Sequence, residues 1–267
     1  MRGIGVAAAI ANAVPEPFVA VLLVATGLGD PVFVALLSVI VYWLGPRYGL
    51  LSRRAGATVL AITIFALSSS VFLKYGFSLP RPPADVLLVP EDGKGFPSGH
   101  VTGAMATYGA LAYYLERGSQ RSRYALGMVL VTVVAFTRIA LGVHYLVDVL
   151  AGVAVGLGAI LAVRWVSLDS MNWAFAMAVP VGLAGVILAG TMDSVLLAGV
   201  AIGTTGAWRL VSIADVQRPP TPTEAAAGLV AGGVLLGLGY WSGVLVVGGL
   251  VGAGAGALFV SLPAFPE

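Results

Sequence analysis

A chain of 267 residues that is 59% hydrophobic and only 10% charged, with a mean hydropathy of +0.99, lies outside the composition of soluble globular proteins. Its net charge of +2 comes from 14 basic against 12 acidic side chains with no long basic tract, which argues against a nucleic-acid surface. The hydropathy and sparse charge point to an integral membrane protein, and the absence of cysteine excludes disulfides, thiol nucleophiles and sulfur-ligated zinc.

The start, Met1-Arg2-Gly3 and the Ala-rich run behind it, loosely resembles a signal peptide, but Asn12, Pro15, Glu16 and Pro17 interrupt the apolar stretch and it reads as mature sequence. The same prolines make residues 4–28 a better interfacial helix than a membrane span. Residues 31–45 form the first expected span, closed by Pro46-Arg47 and the pair Arg53-Arg54, and 55–73 the second. From 74 to 97 the composition turns to Pro, Gly, Asp, Glu and Lys, a loop long enough to imply a function. Spans are then expected at 101–115, 124–137, 139–163, 171–190, 194–210, 225–240 and 243–262. That makes nine, several of them shorter than the ~20 residues that cross the hydrocarbon.

Orientation follows from the basic residues. Arg47, Arg53, Arg54, Arg117, Arg121, Arg123, Arg164, Arg209 and Arg218 all fall on one side of this arrangement, which the positive-inside rule makes cytoplasmic. The opposite side carries the 74–97 loop, Asp30, Asp193 and the stretch Thr137 to Asp148. At 1.5 Å per residue, Arg54 to Lys74 covers ~30 Å and Arg123 to Arg138 only ~22 Å, so Arg138 is sunk below the outer surface. An unpaired charge there costs at least ~2.5–3.5 kcal/mol, and an ionisable cluster at such a depth reads first as a functional site.

Three polar clusters meet on that outer face. In the first, Lys74 ends a helix and Arg81-Pro82 follows in a Pro-rich segment that fixes the arginine's backbone. The second is Pro97-Ser98-Gly99-His100, where loop becomes helix. Serine is placed to cap that helix, and the free N–H groups of its first turn make an anion site. The third is Arg138, His144 and Asp148, the last two four apart on an expected helix and so on one face. Singly, each has a plain reading as a snorkelling anchor, a cap or a structural histidine. Together, three cations, a hydroxyl, a helix N-terminus, two imidazoles and a buried carboxylate suit a tetrahedral dianion. One imidazole would attack phosphorus and the other protonate the leaving oxygen.

The order of these motifs resembles the three-part signature of the type 2 phosphatidic acid phosphatase superfamily, which also contains glucose-6-phosphatases and vanadium haloperoxidases. The likeness runs over roughly residues 12–166 and includes Thr26-Gly27-Leu28-Gly29-Asp30. It implies His144 as the nucleophile, oriented by Asp148, and His100 as general acid. Lys74, Arg81, Ser98, Gly99 and Arg138 would hold the phosphate, with no metal and no other cofactor. Thr137 stands where the family usually has serine, and a first transmembrane helix of many bacterial members has no counterpart here.

The expected architecture is therefore an all-α polytopic membrane bundle, with a catalytic unit at 1–166 and a four-helix extension of open role at 167–267. The expected activity is metal-independent hydrolysis of a lipid phosphate or polyprenyl diphosphate on the external face of the cell membrane. The expected partners are that substrate and the surrounding lipids, with no nucleic acid. Transfer of phosphate to another acceptor through the same intermediate is the alternative within the class. An anion or lipid transporter is the alternative outside it.

Overall fold

The computed structural model describes residues 4–213 and 218–264; Met1-Arg2-Gly3 of the signal-like start lies outside the described residues. Among those residues there is no strand. The helices are α1 (Ile4–Asn12), α2 (Glu16–Thr26), α3 (Pro31–Leu44), α4 (Arg53–Phe77), α5 (Gly99–Tyr114), α6 (Gln120–Ala140), α7 (Leu146–Asp169), α8 (Met171–Ala176), α9 (Ala178–Ala189), α10 (Met192–Ile213), α11 (Pro222–Trp241) and α12 (Leu245–Ser261).

Each of the nine apolar segments is helical over most of its length, but the expected count of nine spans needs correction. Among the described residues six helical stretches are long and apolar enough to cross a bilayer: α4, α6, α7, α8 with α9, α10 and α11. Helices α3, α5 and α12 have only 14, 16 and 17 residues. The apolar run at 4–28 also departs from expectation, since it forms two helices bent by 116° rather than one. The cause is local: Pro15 cannot continue a helix, and the chain restarts with Glu16-Pro17 in the first turn of α2. Counted as one broken span, the pair would raise the total to seven.

Large apolar side chains stay uncovered around the bundle, Ile187 at 84% and Trp241 at 89% exposure, as a lipid-facing surface requires. Helix α4 is the exception. Its most apolar window is 72% buried, against 22–44% in the other five spans, which makes it the centre of the bundle. In lipid there is little hydrophobic drive between helices, so small residues and close backbone contact decide the packing. On α7, Gly152 and Gly156 let α5 approach so closely that a Cβ at either position would meet the Ser98 or Thr102 carbonyl at 2.9 or 2.8 Å. Gly199 and Gly203 of α10 meet the backbone of α12 in the same way, and Gly252 and Gly256 return the contact. Between α4 and α5 the Thr63 and Thr107 hydroxyls are hydrogen-bonded at 3.0 Å.

The two ends of the bundle differ as the charges imply. At one end the α3–α4 and α5–α6 connections touch, Glu116 N–H donating to the Leu50 carbonyl at 2.8 Å and Arg117 to Gly49 at 3.1 Å. Arg54 donates to the Ser167 carbonyl near the end of α7 at 2.6 Å. The basic connections therefore share a face. The opposite end gathers the C-terminus of α4, the α4–α5 loop, the N-terminus of α5 and the α6–α7 turn. Pinned there by Leu88 N–H to the Leu141 carbonyl at 3.1 Å and Gly95 N–H to the Leu79 carbonyl at 2.8 Å, the long loop lies across that end.

Candidate active site

All the residues singled out from sequence are at that second end. Lys74 lies in the last turn of α4. A Cβ placed on Gly99 would lie 3.8 Å from the Lys74 Nζ and 3.4 Å from the Ser70 hydroxyl, so the ammonium faces the first turn of α5 and a glycine keeps that space open. His100 is the next residue of the same turn, within electrostatic reach of Arg138, Lys74 and Arg81.

Ser98 departs from expectation. It holds the N-cap position of α5, yet its side chain makes no cap bond, and its hydroxyl oxygen is buried without a hydrogen-bond partner. The reason is its backbone, whose N–H donates to the Asp148 carbonyl at 3.0 Å and ties the start of α5 to the start of α7. A buried hydroxyl left without a partner loses the bonds it had in water, and it is an available donor for an oxyanion.

The His144–Asp148 pair also differs from the helical face read from the spacing. Helix α6 stops at Ala140, Gly142 turns the chain at φ +73°, and α7 begins only at Leu146. A side chain at Gly142 would collide with the Val86 carbonyl, so the turn seats the α4–α5 loop directly against the α6–α7 junction. His144 is thus in the turn. Asp148 is in the first turn of α7, where its Oδ2 accepts the Tyr145 N–H at 2.9 Å and lies 3.5 Å from His144 Nδ1. That nitrogen has no hydrogen bond in this state, and a small closing movement would supply one.

On the other side of the ring, Arg81 Nη1 is 3.2 Å from His144 Nε2 and also donates to the Val143 carbonyl at 3.1 Å. Since a guanidinium only donates, Nε2 is the acceptor and the proton is assigned to Nδ1, facing Asp148. Burial, and then the charges of Arg81, Arg138, Lys74 and His100, hold this turn imidazole well below its ordinary value. It is neutral near pH 7, with the lone pair of Nε2 directed toward the cations.

Two residues complete the site. Thr26, at the end of α2, accepts from Arg138 Nη1 at 3.2 Å, which places the Thr26–Asp30 segment against the buried arginine. Glu91 belongs to the 81–96 loop, whose charges Asp85, Glu91, Asp92 and Lys94 suit part of a headgroup pocket or, at least as readily from sequence alone, a solvated surface. Its Oε1 takes both guanidinium groups at once, Arg81 Nη2 at 3.1 Å and Arg138 Nη2 at 2.9 Å. A cavity of about 380 Å³ lined by Arg53, Arg54 and Trp208 lies at the far end of α4 and holds none of these residues. The centre of the cationic cradle is filled by the Glu91 carboxylate.

A profile described as PAP2 superfamily matches residues 55–172. The matched segment, somewhat under half of the chain, is similar to the PAP2 superfamily. The match begins later than the likeness read from the motifs and reaches into α8, and it contains every residue of the cradle except Thr26. Phosphatidylglycerophosphatase B of Bacillus subtilis is 36% identical over 76 residues, 26% of this chain and 37% of that protein, so the alignment spans little more than a third of the curated relative. A crystal structure of a transmembrane PAP2 type phosphatidylglycerolphosphate phosphatase from Bacillus subtilis superposes with a TM-score of 0.56 at 25% identity, over 62% of this chain and 85% of that one. Together with the apolar helices, the likeness makes this bundle a membrane protein.

Proposed function

We propose that this protein is a membrane phosphatase that hydrolyses a lipid phosphate monoester or a polyprenyl diphosphate through a phosphohistidine on His144. The observation that carries the reading is His144 itself: a neutral imidazole whose Nε2 faces Arg81 while Nδ1 faces the Asp148 carboxylate, inside a group of three cations. In the first step Nε2 forms a bond to phosphorus and the phosphorus–oxygen bond to the lipid breaks. His100 donates its proton to the leaving oxygen. Asp148 stabilises the charge that develops on the ring. Arg81, Arg138, Lys74, the Ser98 hydroxyl and the N–H groups at Gly99 receive the equatorial oxygens. In the second step His100 takes a proton from water, the hydroxide attacks phosphorus, and the phosphorus–nitrogen bond breaks to release phosphate and restore both imidazoles.

Positive charge of the cradle does here what a metal ion does in other phosphatases. The positive-inside rule, applied to the basic connections, supports a site on the external face of the cell membrane, with the lipid chain remaining in the bilayer beside the bundle. By similarity to the Bacillus subtilis relatives, phosphatidylglycerol phosphate is the first substrate to try. Residues 1–166 would form the catalytic unit and 167–267 an extension docked on it through α4.

The test is phosphate release by purified protein over phosphatidylglycerol phosphate, phosphatidate, prenyl diphosphates and sugar phosphates, each with and without EDTA. Hydrolysis of at least one lipid substrate, unchanged by the chelator, is expected. Activity lost to EDTA and restored by a divalent ion would refute the metal-free mechanism, and activity confined to sugar phosphates would refute the lipid assignment.

A further inference from the structure

The cradle described above is already occupied, by an anion that belongs to the protein. Glu91 Oε1 bridges Arg81 and Arg138, the two guanidinium groups best shaped for a pair of phosphoryl oxygens. The segment that carries it is held at both ends and open between them. Leu88 is tied to Leu141 and Gly95 to Leu79, while Asp92 and Gly93 are exposed, Gly93 has φ +82°, and a Cβ there would meet nothing within 4 Å. The Glu91 side chain keeps 28% of its surface in solvent although the arginines it holds keep only 9% and 3%. It can leave without unpacking the core.

We infer that Glu91 occupies the phosphoryl position in the resting protein and sets the affinity that a headgroup must reach to enter, because a ligand must displace it from both arginines. A phosphate monoester or a diphosphate brings two or more negative charges to the exchange and replaces the carboxylate with a net gain. A phosphodiester headgroup brings one, the same as the carboxylate it would displace, and gains nothing. Diesters are the bulk of any phospholipid bilayer, so a cationic cradle opening on lipid without such a competitor would fill with them. This inference rests on the phosphatase reading for its substrate but not for its physics.

The experiment compares wild type, Glu91→Gln and Asp85→Asn, the last removing one negative charge from an exposed position of the same loop. In each, binding of inorganic phosphate is read by thermal stabilisation of the detergent-solubilised protein. Inhibition by phosphatidylglycerol, a diester, is read in mixed micelles. Glu91→Gln should bind phosphate about tenfold more tightly and become more sensitive to phosphatidylglycerol by a similar factor, because an internal competitor weakens every ligand of the same cradle alike. Asp85→Asn should match wild type on both. If Glu91→Gln leaves both affinities unchanged or weakens them, or if kcat falls with no tightening, Glu91 is a brace for the arginines and the inference is wrong. Phosphate binding needs no turnover, so a protein that binds phosphate in this pattern but hydrolyses no lipid would overturn the proposed function and leave the role of Glu91 standing.

Discussion

Replacement of His144 by alanine should lower turnover of a lipid phosphate by about 10⁴-fold or more, the scale on which loss of a covalent nucleophile is felt. His144 is only 1% exposed, so the alanine variant leaves a hole in a packed turn and its stability must be measured alongside. His144→Gln fills most of that volume and keeps a hydrogen-bonding head toward Arg81, yet it offers no nucleophilic nitrogen. It should therefore be folded and as inactive as the alanine variant. Phosphate should still bind to both, since the cations that hold it remain. A His144→Gln protein retaining a tenth or more of wild-type kcat would show that the imidazole is not the attacking group.

The second large effect is expected at Arg138. Its guanidinium is buried, donating to Thr26 on one side and Glu91 on the other, at the end of a helix where it has no route to water. In the reaction it would turn the bond now made to Glu91 toward an equatorial oxygen whose charge grows as the phosphorus–oxygen bond breaks. Arg138→Met keeps the length and apolar stem and removes the donors. It should lower kcat/KM by about 10²–10³-fold, the loss typical of one oxyanion donor, with most of the fall in kcat. Arg138→Lys should recover little, because an ammonium cannot span Thr26 and a phosphoryl oxygen as the planar fork does. A fall confined to KM would mean that Arg138 holds substrate and transition state equally.

What could be read from sequence was the set of residues and the end of the bundle where they meet. Lys74, Arg81, Ser98, His100, Arg138, His144 and Asp148 are each at a helix end or in a loop, and the alternation of basic connections sorts helix ends into two faces without coordinates. The local geometry was less legible. Residues 139–148 are apolar enough to continue a helix, and only the φ +73° at Gly142 and its contact with the Val86 carbonyl show why the chain breaks there. His144 and Asp148 consequently meet across a helix cap, not along a helical face. Ser98 has the identity of an N-cap, but its bond to Asp148 fixes a backbone that turns its hydroxyl inward.

The pairing of Glu91 was illegible for another reason, although its loop was a candidate part of the headgroup pocket. Its partners depend on how a loop rich in proline and glycine crosses the site, and no periodicity reports that. The bend between α1 and α2 was signalled by Pro15 and Pro17, whereas its consequence was not: Ala11 packs beside Gly142 and Thr26 reaches Arg138, so both helices abut the candidate active site. In the extension, α10 and α12 are rich in glycine, but only their facing registers reveal a close-packed pair.

The central claim is a covalent bond between phosphorus and residue 144, and rapid quenching tests it most directly. Protein mixed for milliseconds with a lipid phosphate labelled in its phosphoryl group, then quenched in alkali, should carry label that survives base and is released by acid, as a phosphoramidate does. Peptide mapping should place that label on His144. Label on another residue, or single-turnover release of phosphate with none retained on the wild-type protein at any time, would contradict the account.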